Sequence, residues 1–216
     1  MKHHPDPTRA GDGNSTVAPP PATGTLPLAV KATTHVDQVT TVKLWWLYQK
    51  AFTEINGLAA QRHLMTFEEF YDLMVSQRVV KFIAKSGQRM VGLSVMTSDL
   101  AAWPLVAPEF YERRFPGRQI FYIGFVGTDQ TEGAYLALIA RMYEDVIAAD
   151  GVCAMDFAGH NVDQLQIGRK VNALLRRTNP AARGGAVDRQ EFWAWDFRDG
   201  RATSDTAPYS TEVDRG

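Results

Sequence analysis

The chain of 216 residues has one cysteine, Cys153, no strong excess of either charge, and no apolar run near the roughly 18 residues that a bilayer span requires. A single thiol excludes an internal disulfide, and its setting in VCAMDF reads as a buried strand, where a thiol is unreactive. Lys and Arg number 23 against 24 Asp and Glu, a formal charge of -1, so no global field draws the molecule toward nucleic acid or an anionic membrane. Any basic site must be local. The first residues lack the apolar segment of a signal peptide, and the expectation is a cytoplasmic protein with no membrane and no nucleic-acid partner. No internal repeat is present.

What is there is enough apolar residue, 45%, to bury one sizeable core. Residues 1–34 are rich in Pro, Gly, Ser and Thr without apolar periodicity, and ordering them would cost entropy that little burial could offset. They are expected to be a disordered leader, 200–216 a disordered tail, and 35–199 one folded domain. Leu44, Leu47, Tyr48, Ala51, Ile55 and Leu58 recur at helical steps up to Gly57. Thr66 and Glu69 have capping-box spacing, with Met65 and Phe70 placed as a hydrophobic staple. Two β-rich runs flank Ser86-Gly87-Gln88 and predict a hairpin, and RQIFYIGFVG predicts a third strand. A helical stripe from Tyr135 to Val146 stops at Gly151, VCAMDFAG follows as a strand, and a helix capped by Asn161 is expected to end before Pro180. EFWAWDF reads as a last strand. This order predicts an α/β fold: a mixed, mostly antiparallel sheet flanked by helices on both faces.

The segment GTDQTEG leaves the third strand and opens a helix. About four amides lack intrahelical partners at such a start, the macrodipole adds positive potential, and Gly133 permits close approach, so the turn can receive phosphate. Thr128, Asp129 and Thr131 are equally suited to capping the helix and nothing more. With its flanking elements, this segment resembles that of the GNAT superfamily of acyl-CoA-dependent N-acyltransferases, over about residues 40 to 198. The family turn Q/R-x-x-G-x-G/A is matched by Gln130-Thr131-Glu132-Gly133-Ala134-Tyr135, separated from Phe125 by the four residues Val126 to Asp129, and Asn161 falls where the family often contacts the pantetheine arm. The chain departs at Tyr135, where the family has a small residue, at Glu132 inside the turn, and at Gly168, near the place of a tyrosine general acid.

The resemblance implies direct transfer of an acetyl or longer acyl group from acyl-CoA, with no metal, to an amine of a small molecule or peptide; a homodimer is left open. It implies cofactor contacts from Phe125, Val126, Gly127, Gln130, Thr131, Glu132, Gly133, Ala134, Tyr135 and Asn161. A developing oxyanion needs an amide, which a splayed central strand would supply from Gly124, Phe125 or Val126. The amine proton needs a base, for which Tyr122, Asp156 and His160 are candidates and His63 is a more distant one. Each has a plainer reading: Tyr122 as sheet packing, Asp156 as a paired carboxylate, His160 as a solvated loop residue. Arg169, Lys170, Arg176 and Arg177 form a basic face open to a coenzyme A phosphate or simply to solvent. Trp103, Leu105, Val106, Phe110 and Tyr111 in the long insertion suit an apolar substrate pocket or sheet packing. A second functional reading is a non-catalytic module of the same fold that senses a ligand or binds a protein.

Overall fold

The structure, a computed structural model, describes residues 27–60, 64–104 and 106–192. Its elements are β1 Leu28–Thr33, α1 Gln38–Leu58, α2 Phe67–Val75, β2 Val80–Ser86, β3 Arg89–Thr97, a 3-10 turn Leu100–Ala102, α3 Pro108–Arg114, β4 Ile120–Thr128, α4 Ala134–Ala148, β5 Val152–Met155, α5 Gly159–Asp163 and α6 Ile167–Thr178. The chain divides into two compact units, one ending at Asp156 and the other formed by 56–62 with the residues from Phe157 onward.

The first unit holds a five-stranded sheet in the order β1-β2-β3-β4-β5. β1 to β4 pair antiparallel, and β4 and β5 run parallel, joined by α4. The predicted mixed sheet is therefore found, with helices packed on both faces. On one face α1 and α2 lay Leu44, Leu47, Tyr48, Phe70 and Met74 against Ile83, Leu93, Val95 and Phe125. On the other, α4 brings Leu138 beside Gly92, Met142 Sδ to 3.0 Å from Ser94 Oγ, and Arg141 over the Phe82 ring. Complete burial of Leu44, Leu138, Ile139 and Met142 contributes on the order of 1.5–3 kcal/mol each, so both helix layers hold the sheet.

Local chemistry accounts for the helix starts. Asp37 accepts from the Thr40 amide at 2.9 Å and hydroxyl at 2.6 Å at the head of α1. At α2 the Thr66 hydroxyl accepts from the Glu69 amide, and the Glu69 carboxylate from the Thr66 amide at 2.6 Å, the reciprocal cap that the spacing predicts. One buried charge is unanticipated. Lys81 on β2 is fully enclosed, its ammonium donating to the carbonyls of Thr34, Ser76 and Val79 at 2.5–2.9 Å. Burial without a carboxylate pulls its pKa down to about 8.

Four boundaries differ from expectation. Leu28–Thr33 are not leader but β1, because Leu28 to Thr33 pair residue by residue with Ser86 to Lys81 and give β2 a second neighbour. The left-handed residue ending α4 is Asp150, with φ 46°, and the Gly151 amide reaches back to Val146. Asn161 lies within α5 rather than capping a long helix, because the Ala158 carbonyl already accepts from Val162. Left-handed Gln166, φ 49°, then separates α5 from α6. The expected strand EFWAWDF falls mostly outside the described residues, as does His63.

Candidate functional site

β4 carries the site because it changes partners along its length. Its parallel pairing with β5 ends at Ile123 opposite Met155. On the β3 side Met96 faces Ile123 and Val95 faces Phe125, leaving Gly124 as an unmatched bulge residue. Residues 124–128 thus have β3 beside them and, on the other edge, main-chain groups beyond the end of β5. Glycine is required at the bulge: a Cβ there would meet the Trp103 indole at 2.1–2.5 Å. The ring lies against the main chain where the strand departs from its parallel neighbour.

Tyr122 stands just before the bulge, 5% exposed, with its hydroxyl 2.5 Å from Asp156 Oδ1. Burial first, and the Asp156 bond and charge second, hold the phenol far above its ordinary range, and its hydroxyl donates to the carboxylate. Asp156, one residue past β5, is exposed and has no basic partner among the described residues. Trp103 and Tyr111 flank Tyr122 with ring centroids at 6.1 and 6.4 Å. Leu105, between them in sequence, is outside the described residues. Tyr122 and Asp156 therefore meet. His160 and Asn161 belong to α5 of the second unit, as exposed Arg169, Lys170, Arg176 and Arg177 belong to α6.

At the far end of β4 the turn is built from two left-handed residues, Gln130 at φ 70° and Gly133 at φ 78°, the latter capping α4. Asp129 organises it. Its carboxylate accepts from the Thr131 amide at 3.0 Å and hydroxyl at 2.6 Å and from Arg89 at 2.6 Å. Partial burial pulls its pKa upward, but the Thr131 bonds and the charges of Arg89 and Lys50 prevail and hold it below the ordinary value. Two amides expected to be open are occupied: Thr131 donates to Asp129, and Ala134, fully buried, donates to the Thr131 carbonyl at 3.1 Å. The amides of Glu132, Gly133, Tyr135 and Leu136 find no acceptor among the described residues.

Glu132 and Gln130 face solvent. Tyr135 is half-buried, burial raises its pKa, and its phenol acts on that of Tyr143 along α4. A cleft of about 260 Å³ opens beside the turn, between Lys50, Ala51 and Glu54 of α1 and Val126 to Gln130. Gly127 forms its floor against α1, where a Cβ would lie 2.9 Å from Phe52. Phe125 turns its ring into the core against Tyr48 and Phe52, so that only its main chain can meet a ligand. Burial pushes the Cys153 thiol up to about 12, the unreactive state its strand suggests. Sequence reading missed Lys50 and Trp103's contact with Gly124, since neither a surface lysine nor a strand glycine announces its distant neighbour.

No protein-family model matches the chain, and no curated protein matches it. Solved structures do. A possible acetyltransferase from Clostridium difficile 630 is 7% identical with a TM-score of 0.50, covering 78% of this chain and 99% of its own. An aminoglycoside N-acetyltransferase in complex with CoA is 9% identical with a TM-score of 0.49, covering 81% and 98%. An aminoglycoside acetyltransferase from an uncultured soil metagenomic sample, in complex with sisomicin, is 16% identical with a TM-score of 0.48, covering 77% and 97%. At 7% identity the first of these speaks for architecture alone. With the bulged β4, the glycine turn before α4 and the parallel β5, that architecture is the GNAT fold.

Proposed function

We propose that the protein is an N-acyltransferase that takes an acyl group from acyl-CoA. One observation carries the reading: the strand that separates from β5 after Ile123 leads into a left-handed glycine turn with four amides that have no acceptor among the described residues. Those of Glu132, Gly133, Tyr135 and Leu136 suit a diphosphate, with Lys50 across the cleft supplying positive charge. A bound acyl-CoA would supply an activated thioester carbonyl and a thiolate leaving group.

The main chain at Gly124 to Val126 is placed to stabilise negative charge developing on that carbonyl oxygen. Asp156 takes one proton from the acceptor's ammonium to free the nitrogen lone pair, and the proton shed as that nitrogen bonds to carbon and the carbon–sulfur bond breaks passes to the departing thiolate. The buried Tyr122 hydroxyl donates to Asp156 and fixes the orientation of its carboxylate.

The second reading, a non-catalytic module, is favoured by one feature. Asp129 already presents an anion to the turn and binds Arg89, occupying the Thr131 amide in the manner of a ligand. The two readings separate in one experiment. Thermal unfolding is measured with coenzyme A, acetyl-CoA, butyryl-CoA and longer acyl-CoAs, followed by thiol release with an amine panel. Ligand at a hundred times its Kd stabilises by about 2.7 kcal/mol, or on the order of 5–10 °C for a domain of this size. Absence of any shift at millimolar ligand overturns the acyltransferase reading; a shift that appears only in Asp129→Ala supports the closed, non-catalytic one.

A further inference from the structure

We propose that the amine acceptor is a cationic amine borne on an apolar, ring-sized body, received by Asp156, which the buried Tyr122 orients, and walled by Trp103 and Tyr111. The inference rests on the acyltransferase reading for what happens after binding, but the contacts that select the ligand do not depend on transfer.

The charge requirement follows from Asp156. Several carboxylates near β4 and α4 are matched, Asp99 by Arg78, Asp129 by Arg89, Asp145 by Arg141 and Asp150 by Arg118, whereas Glu132 in the turn simply faces solvent. Among the described residues Asp156 accepts from the Tyr122 hydroxyl alone, on Oδ1, and its side chain is exposed, which leaves most of its acceptor capacity open. A neutral phenol orients the carboxylate without neutralising it, so a cation is the complementary visitor.

The apolar requirement follows from what surrounds that carboxylate. Trp103 and Tyr111 are half-buried, with ring centroids 6.1 and 6.4 Å from that of Tyr122, whose hydroxyl holds Asp156, so aromatic carbon surface lies against the phenol that orients the carboxylate. Val106 and Phe115 continue this cluster as carbon surface. A polyhydroxylated amine would forfeit the hydration of its hydroxyls there for few partners, whereas an aryl or alkyl body gains by burial. Trp103 also lies on Gly124, which puts the aromatic wall beside the main chain proposed to meet the reacting carbonyl.

Binding is measured without coenzyme A, by titration calorimetry and tryptophan fluorescence, for 2-phenylethylamine, its uncharged counterpart 2-phenylethanol, ethanolamine and glucosamine. The expected result is saturable binding of 2-phenylethylamine, with each other probe about tenfold weaker or more. Asp156→Asn should reduce the preference for amine over alcohol to within about twofold, and Trp103→Ala should weaken the aryl amine about tenfold while leaving ethanolamine unchanged. Trp103→Phe, checked by circular dichroism beside the alanine variant, keeps a ring and should retain most affinity. Equal or tighter binding of glucosamine, no saturable binding of 2-phenylethylamine at millimolar concentration, or an undiminished amine preference in Asp156→Asn overturns the inference. Asp156-dependent binding of the aryl amine without thiol release from any acyl-CoA upholds it and removes the transferase reading. Acylation of glucosamine with none of 2-phenylethylamine does the reverse.

Discussion

Replacing Gly124 with alanine puts a methyl group where the Trp103 ring already is. The 2.1–2.5 Å separations are far inside contact distance, so either the indole withdraws from β4 or the bulge opens. Overpacking of this kind costs about 1–3 kcal/mol, and the strand preference of alanine over glycine returns at most about 0.5–1. The net expectation, about 1–2 kcal/mol, lowers Tm by about 2–8 °C in a domain of this size. Trp103→Ala alone should also destabilise, through loss of its contacts with Tyr122 and the core around Ala102. The double variant is the informative one. With the ring gone, the added methyl has room, so the double variant should be more stable than the summed single effects predict by about 1–2 kcal/mol. Urea denaturation of all four proteins reads this coupling directly. Additivity within about 0.5 kcal/mol would refute the proposed contact, and with it the aromatic wall beside the bulge.

Lys81 sets a pH dependence: its folded pKa of about 8 lies below the ordinary 10.5, so the folded state binds fewer protons between those values. The burial cost is present in full below pH 8 and is relieved as pH rises toward 10.5, so wild type should gain about 2 kcal/mol relative to Lys81→Met between about pH 7 and about pH 9.5. An unchanged gap between the two denaturation curves contradicts this; the raised pKa values of Tyr122, Tyr143 and Cys153 act in the opposite sense but cancel in the comparison. Thr66→Ala should cost about 1 kcal/mol by calorimetry while Thr66→Ser costs little, because only the first removes the acceptor of the Glu69 amide. Lys50→Ala should weaken coenzyme A about fivefold at low salt and progressively less as ionic strength rises, tested by thermal shift; equal weakening at all salt concentrations would place Lys50 outside the phosphate's field.

Local rules made most of the fold legible. The capping box, the hairpin turn and the α4 stripe are each decided by residues within a few positions of one another, and each is found where the spacing places it. β1 was hidden because a short strand at the sheet edge draws its order from β2, some fifty residues away, and its own composition resembles a linker. The α5–α6 break escaped notice because Gln166 in a left-handed conformation carries no compositional mark. In the candidate site, Tyr122 and Asp156 were legible as chemistry-bearing types within one strand and just after the next, and the parallel pairing of β4 with β5 brings them together. The self-occupation of the turn by Asp129 was not, because capping and ligand binding draw on the same residue types, and Arg89, which decides between them, comes from a different strand.

α4 touches all five strands. A sheet braced along its whole width by one crossing member has no strand that can peel away alone without also losing part of that brace, so the slowest amide exchange in β1 through β5 should converge on one common opening energy. A phosphate group gripping the leading end of the brace would then slow exchange even in β1, at the margin opposite β5, and a signal seen at that distant edge would report occupancy at the glycine turn.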